Sequence, residues 1–412
     1  MIRQLISWAM GLVLVLPALS GTPKYAPVTT PNGASLPFEM DHGVKVFHLV
    51  AEVIKHEMAP GMVINAWGYN GSTPGPTIEA AEGDRVRILV ENKLPEPTSV
   101  HWHGIYLPSG MDGVSGVNQR AIEPGETFKY EFTLRQHGTY MYHPHVDETH
   151  QMALGMMGFF IIHPKQEPVK IDRDFAIFLQ EWDLPPGAAT PNPVTMNDFN
   201  LFSFNGRIFP GTTPLVARLG QRVRIRFANL SMDSHPIHIH GVHWFMTATD
   251  GGDVPLSARL PETTINVPPG TTRTVEFIAN AEGDWGLHCH KAHHAMNQMS
   301  HAVPNLTGVS QAGLEDKISA QLPGYMAMGE NGMHEMSVMH MAGPENTVPM
   351  MAGETARGPI GMGGMFTVVK VRKSLRSYDD PGLYDNPPGT EAVAIGEPTK
   401  TSKPVDHSRH GH

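Results

Sequence analysis

His288-Cys289-His290-Lys291-Ala292-His293-His294-Ala295-Met296-Asn297-Gln298-Met299 contains the only cysteine in a chain of 412 residues. A thiolate, an imidazole and a thioether this close together are three of the four ligands of a mononuclear blue-copper site, which takes two imidazoles, a thiolate and a long axial thioether. Side chains alternate across a strand. If Cys289 points inward from a strand end, His288 and His290 therefore point the other way, free to bind a second metal centre across the same backbone. The bland alternative is a buried thiol with chance histidines beside it, and it fails if the missing ligands occur elsewhere in the chain.

They do, because the chain repeats itself. Gly83-Asp84-Arg85-Val86-Arg87-Ile88 matches Gly220-Gln221-Arg222-Val223-Arg224-Ile225, and at the same offset of 137 His101-Trp102-His103-Gly104 falls on His238-Ile239-His240-Gly241. His143-Pro144-His145 falls on His288-Cys289-His290 at an offset of 145, which places an eight-residue insertion in the second copy. Each copy has the length of a Greek-key β-sandwich or barrel. Pro144 stands where the second copy has Cys289, so the first copy lacks a blue-copper site of this pattern. His150 and Met152 read as packing or surface residues.

Composition agrees with an all-β chain: 42 Gly and 36 Pro are scattered between short Val, Ile, Phe and Tyr runs. A net charge of −10 argues against a nucleic-acid partner. A single cysteine excludes an intrachain disulfide, so the thiol reads as a metal ligand. Residues 1–20 read as a signal peptide, with Arg3 before an apolar run and Ala18-Leu19-Ser20 as the cleavage pattern, which predicts an exported protein, periplasmic or secreted. Residues 21–45 form an N-terminal arm, 46–165 domain 1, 166–373 domain 2, and 374–412 a mobile tail or extended arm.

Four histidine clusters are now in view: HWHG at 101–104, HPH at 143–145, HPIHIHG at 235–241 and HCHKAHHAMNQM at 288–299. On a strand, H-x-H puts both imidazoles on one face. In order and spacing the four clusters resemble the copper-binding motifs of the multicopper oxidases, the family of laccases, cuprous oxidases and bilirubin oxidases. Residues 70–78 and Met111-Asp112-Gly113 resemble that family too. The resemblance implies two cupredoxin-like domains and four coppers per chain. Type 1 copper would sit on His235, Cys289 and His294 with Met299 axial, and type 2 copper on His101 and His238. One type 3 copper would take His103, His143 and His290, and its partner His145, His240 and His288. Zinc would favour closed four-ligand sites instead.

The implied reaction is four one-electron oxidations, with electrons entering at Cys289 and O2 reduced to water at the trinuclear cluster. Asp112 matches the family's carboxylate near the type 2 copper and is the candidate acid. Ala295 stands where the family often has a proton-relay glutamate, and Glu148 or Asp147 are the candidate substitutes. With two domains, the chain resembles oxidases in which domain 1 of one subunit meets domain 2 of the next, which implies a homotrimer with interfacial clusters. Copper nitrite reductases, also two-domain, carry the type 1 cysteine in the first domain and lack a full trinuclear histidine set.

Between Met299 and the expected closing strand at 363–371 lies a methionine-rich insertion, about 303–362. It carries Met326, Met328, Met333, Met336, Met339, Met341, Met350, Met351 and Met362, with His334 and His340. Thioethers prefer Cu(I), and methionine is also an adaptable packing residue. The expected substrate is Cu(I), in copper tolerance. A laccase-like oxidase of phenols or amines is the alternative, and a non-enzymatic copper store or chaperone a third reading. His407, His410 and His412 read as part of a solvated terminus.

Overall fold

The computed structural model describes residues 25–185, 187–297, 317, 320–321, 346–348, 354–355 and 357–396. The predicted Met299, the segment 1–20, the listed methionines of the insertion apart from Met362, and the three C-terminal histidines fall outside them.

Two double-sheet units follow one another. In the first, Val44–Ala59 pairs with Phe38–Asp41, Met62–Tyr69 and Arg85–Asn92, and the last of these with Thr127–Thr133. Facing them, Gly75–Ala81, Gly158–His163, Gly138–His143 and His101–His103 lie side by side in that order. The second unit repeats the plan. Arg222–Asn229 lies between Arg173–Trp182 and Thr271–Ile278, and the facing sheet runs Leu215–Arg218, Phe366–Arg372, Gly283–Cys289, His235–Ile239 and Thr264–Val267. The duplicated strands hold equivalent places: Arg85–Asn92 and Arg222–Asn229 each run parallel to one neighbour and antiparallel to the other.

The period-2 pattern of these strands explains why each unit closes around its own core. Val86, Ile88 and Val90 are fully buried in the first, and Val223, Ile225 and Phe227 in the second. The middle residue of each H-x-H motif is also buried, Trp102 in one core and Ile239 in the other. Burying one such side chain contributes about 1.5–3 kcal/mol. That inward pull turns the flanking histidines to the other face.

The two units share an apolar contact. Phe159 and Phe178 meet with ring centroids 4.8 Å apart, inside an apolar cluster that takes Met141, Met157 and Ile161 from one unit and Ala176, Ala228 and Leu230 from the other. Beside it Arg226 makes a two-pronged pair with buried Asp174 and donates to Thr139 Oγ1 at 2.8 Å. Removing one partner of such a buried pair costs about 3–5 kcal/mol. The N-terminal arm adds a second tie: Val28–Thr29 pairs with Arg173–Trp182 of the second unit, and Tyr25 stacks on His163 of the first at 3.6 Å.

The insertion leaves and returns at one place. After Asn297 the described chain resumes most fully at 357, and Gly364 N–H and Met365 N–H donate to the carbonyls of Ala295 and His294. The expected closing strand is Phe366–Arg372, antiparallel to Gly283–Cys289. Between these points Asn346 bridges Val63 N–H and Ala188 O, and Val348 packs against a core patch containing Ile54, Met62 and Trp182. From Ser374 the described chain runs along the second unit as an extended arm, with Tyr378 under the Arg173 guanidinium.

Candidate metal centres

Strand Gly283–Cys289 runs antiparallel to His235–Ile239 with Cys289 opposite Ile237. Cys289 is buried in the second core, and His290, the next residue, is exposed on the other side. A short 3-10 turn, Ala292–Ala295, folds His294 back over the cysteine. Cys289 Sγ lies 3.8 Å from His235 Nδ1 and 3.6 Å from His294 Nδ1, and the two nitrogens are 3.0 Å apart. A point equidistant from all three atoms lies about 2.0 Å from each, a metal–imidazole bond length and slightly short of a metal–thiolate one. One thiol and two imidazoles converging on a buried point suit a soft, thiolate-seeking ion, so the residues fit copper at this position. The rings are oriented from behind. His235 Nε2 lies 2.9 Å from Ser231 Oγ and 3.3 Å from Glu181 Oε1, and Phe202 stacks on His294 at 3.9 Å.

Burial sets the electrostatics of this pocket. It pushes the Cys289 thiol up to about 12 and His235 down to about 3. Burial, and then the neighbouring Asp233 charge, raises the Glu181 carboxyl to about 7. At neutral pH the thiol and His235 are therefore neutral, and an entering cation favours loss of the thiol proton.

The other eight predicted histidines form two quartets. His101, His103, His143 and His145 line a cavity of about 290 Å³ with Glu148, Met152, Leu230 and Met232. His238 and His240 line a second of about 720 Å³ with Phe245, Ile278 and Trp285. In both units the same strand pairing brings the motifs together, His101 opposite His143 and His238 opposite His288. The same backbone groups orient them. His143 Nδ1 lies 2.9 Å from the carbonyl of Pro144, and His288 Nδ1 2.9 Å from that of Cys289. His101 Nδ1 and His238 Nδ1 meet the carbonyls of Asp112 and Thr263 at 2.8 and 2.9 Å. An Nδ1–H donated to a carbonyl leaves the Nε2 lone pair free to bind a metal.

Within the quartets the closest nitrogens are His103 with His143, 3.3 Å, and His240 with His288, 3.2 Å. Among the described residues every ring contact made by these eight histidines to another of the eight stays inside its own quartet.

Of the predicted carboxylates, Asp112 Oδ1 lies 3.4 Å from His101 Nδ1. Gly113 makes that approach possible: at φ +88° its Cα passes so close to Val100 that a Cβ would fall 1.8 Å from the carbonyl oxygen. Glu148 reaches both His143 and His145, at 3.6 and 3.8 Å. Asp147 turns away to His150, 3.3 Å, and His150 leans on Trp67. Glu181, Ser231, Asp233 and Phe202 escaped the sequence reading. No spacing marks them, since they reach the centre from separate loops and strands.

Comparison with known proteins agrees with this geometry. Family models described as multicopper oxidase match residues 52–167 and 183–308. Copper resistance protein A of Escherichia coli is 44% identical over 114 residues, 27% of this chain and 18% of that protein. The chain spans about a fifth to a third of the length of the first curated relatives it matches. The blue copper oxidase of Nitrosomonas europaea is 30% identical with a TM-score of 0.56, covering 61% of this chain and 81% of that one. A structure described as multicopper oxidase mgLAC covers 81% of this chain and 87% of its own, at 26% identity and a TM-score of 0.59. Matched in both of its repeated units, with the histidine and cysteine motifs folded into converging donor sets, the chain belongs to the multicopper oxidase family.

Proposed function

We propose that this protein is an exported oxidase that couples four one-electron oxidations to the reduction of O2 to water, with Cu(I) as its substrate in copper tolerance. The observation that carries this reading is the pairing of a buried His235–Cys289–His294 triangle with His288 and His290, one residue either side of the cysteine at the same strand end. Copper bound at these positions supplies one-electron chemistry. The chain's part is to orient the donors and bring protons. The proposed ligands are His235, Cys289, His294 and Met299 for type 1, and His101 and His238 for type 2. The type 3 pair takes His103, His143 and His290 on one side and His145, His240 and His288 on the other. The short His103–His143 and His240–His288 pairs each supply two ligands of one ion, and each then lacks a ligand from the opposite unit. A second copy of the chain brings that ligand, and a head-to-tail contact that closes makes a ring, here a homotrimer. Asp112 orients His101 and holds a proton near it, and Glu148, between His143 and His145, takes the place of the relay acid that Ala295 cannot supply.

The pocket's electrostatics give one expected outcome. A thiol near 12 keeps its proton at neutral pH, whereas His235 is already neutral there, so metal uptake expels the Cys289 proton. Apparent affinity for Co(II) at this site should rise by at least about tenfold per pH unit between pH 6 and 8. Titrations of metal-free protein at several pH values, read by thiolate-to-metal absorption, check it, and a flat profile contradicts the thiolate assignment.

The methionine-rich insertion supports Cu(I) as substrate, since it leaves from and returns to the loop of His294. Replacing Met333, Met336, Met339 and Met341 together by Leu keeps apolar volume and removes the thioethers. The KM for Cu(I) in O2-uptake assays should rise about tenfold, with phenol oxidation unaffected. Unchanged Cu(I) kinetics would assign the methionines to packing and favour the laccase-like reading.

A further inference from the structure

Two imidazoles meet Cys289, and the fold holds them by different means. His235 lies in a strand paired on both sides, to Thr264–Val267 and to Gly283–Cys289. His294 lies in the four-residue turn Ala292–Ala295, where backbone hydrogen bonds to Lys291 and Met365 fix its main chain but not the tilt of its ring. Phe202 lies flat against that ring, with centroids 3.9 Å apart and planes 13° from parallel, whereas His293 and His235 meet it at 82° and 56°. Phe202 is buried, and it stands opposite Glu181 on paired strands. One hairpin therefore backs both imidazoles, Glu181 behind His235 and Phe202 behind His294. The hairpin is itself locked. Asn200 closes it with two hydrogen bonds to the Leu184 backbone, 2.9 and 2.8 Å, and Trp182 Nε1 donates to Ser203 Oγ at 2.9 Å. Trp182 and Leu201, beside Glu181 and Phe202, are buried against Ile54, Met62 and Ile64 of the first unit. The wall behind His294 is thus anchored outside the unit that carries the ligands.

We propose that Phe202 is a positioning residue that keeps His294 seated in whichever oxidation state the copper on Cys289 stands. This rests on the copper assignment above and adds a residue to it. Each electron enters from the substrate and leaves toward His288 and His290. Cu(I) is content with fewer donors than Cu(II), so an imidazole free to tilt would leave on reduction and have to return before the electron could pass on. Tilting His294 means parting two stacked faces inside a close-packed site, which the stacked pair opposes. The ligand frame then stays the same in both states, its rotamers locked by packing. The same stacking orients His294 before any metal arrives, which strengthens binding by lowering the cost of ordering the ligand.

Phe202→Leu removes the flat face and keeps the site apolar, and Phe202→Tyr keeps the face. The first readout is the potential of the blue copper, from spectroelectrochemical titration of fully loaded protein without O2. In Phe202→Leu the reduced form gains the freedom to shed His294, so Cu(I) should be favoured about tenfold and the potential should rise by about 59 mV. Return of the blue band after reduced protein meets O2 should slow by about tenfold, because the ring must be reseated first. Phe202→Tyr should keep both values near wild type. A ring that merely fills space gives an unchanged potential or, by letting water toward the doubly charged ion, a lower one, and either result overturns the proposal. Co(II) binding to metal-free protein is the second readout, and Phe202→Leu should weaken it by about tenfold. If loaded wild type shows no blue band, the copper assignment fails instead, and equal Co(II) affinity in wild type and Phe202→Leu overturns the clamp in either case.

Discussion

Cys289→Ser should abolish the blue colour expected of the copper-loaded protein and lower substrate-driven O2 uptake by at least about a thousandfold, roughly 4 kcal/mol of activation free energy. The two side chains differ by one atom, so the fully buried position beside Leu287 and Ile237 stays filled and the fold holds. What changes is donor chemistry: a serine hydroxyl is a hard ligand that does not ionise in a buried site, whereas a thiolate is soft and binds copper in both oxidation states. His288 and His290 stay in place on the other face of the strand, so copper content should fall by about one ion per chain rather than four. Absorption, metal analysis and O2 consumption on one preparation check this. Turnover surviving without the blue band would mean that electrons enter by a route other than Cys289.

Active sites should also be restored by mixing two inactive chains. In one, His103 and His145 are replaced by Ala; in the other, His240 and His290. Alone, each is dead, because every cluster lacks ligands from one side. Co-expressed, they assemble rings in which about a quarter of the junctions join an intact first unit to an intact second unit of the neighbour. Recovery of about a quarter of wild-type O2 uptake, in a species with the mass of three chains, is the expected result. If both quartets of a site came from one chain, no mixture would recover activity. The first quartet lines one cavity and His238 and His240 of the second line another, with no ring contact between the quartets among the described residues, and this is why recovery is expected.

Much of this was legible in the sequence because it is encoded in short spacings. H-x-H with a buried middle residue, two copies of a strand beginning Gly-x-Arg-Val-Arg-Ile, and one cysteine between two histidines are local patterns. Strand alternation alone turns them into faces, and Trp102 and Ile239 lie inward as that alternation requires. The closing strand after the insertion was readable from its echo of 158–162, and the structure starts it at Phe366. The choice between Asp147 and Glu148 was not readable, since adjacent residues entering a helix point to different sides. Only the left-handed turn at Asp147, φ 43°, decides that Glu148 reaches the histidines.

The sequence by itself determined the fold class, the duplication and which side chains are candidate metal donors, because each follows from periodicity or from the chemistry of residues a few positions apart. Only the tertiary structure decided what stands behind those donors. Glu181 meets His235 across 54 positions of chain, Phe202 covers His294 across 92, and Asp233 touches His294 across 61. Contacts of that kind are set by how sheets pack and where loops cross. They leave no spacing to read, yet they orient the imidazoles and set the charge around them.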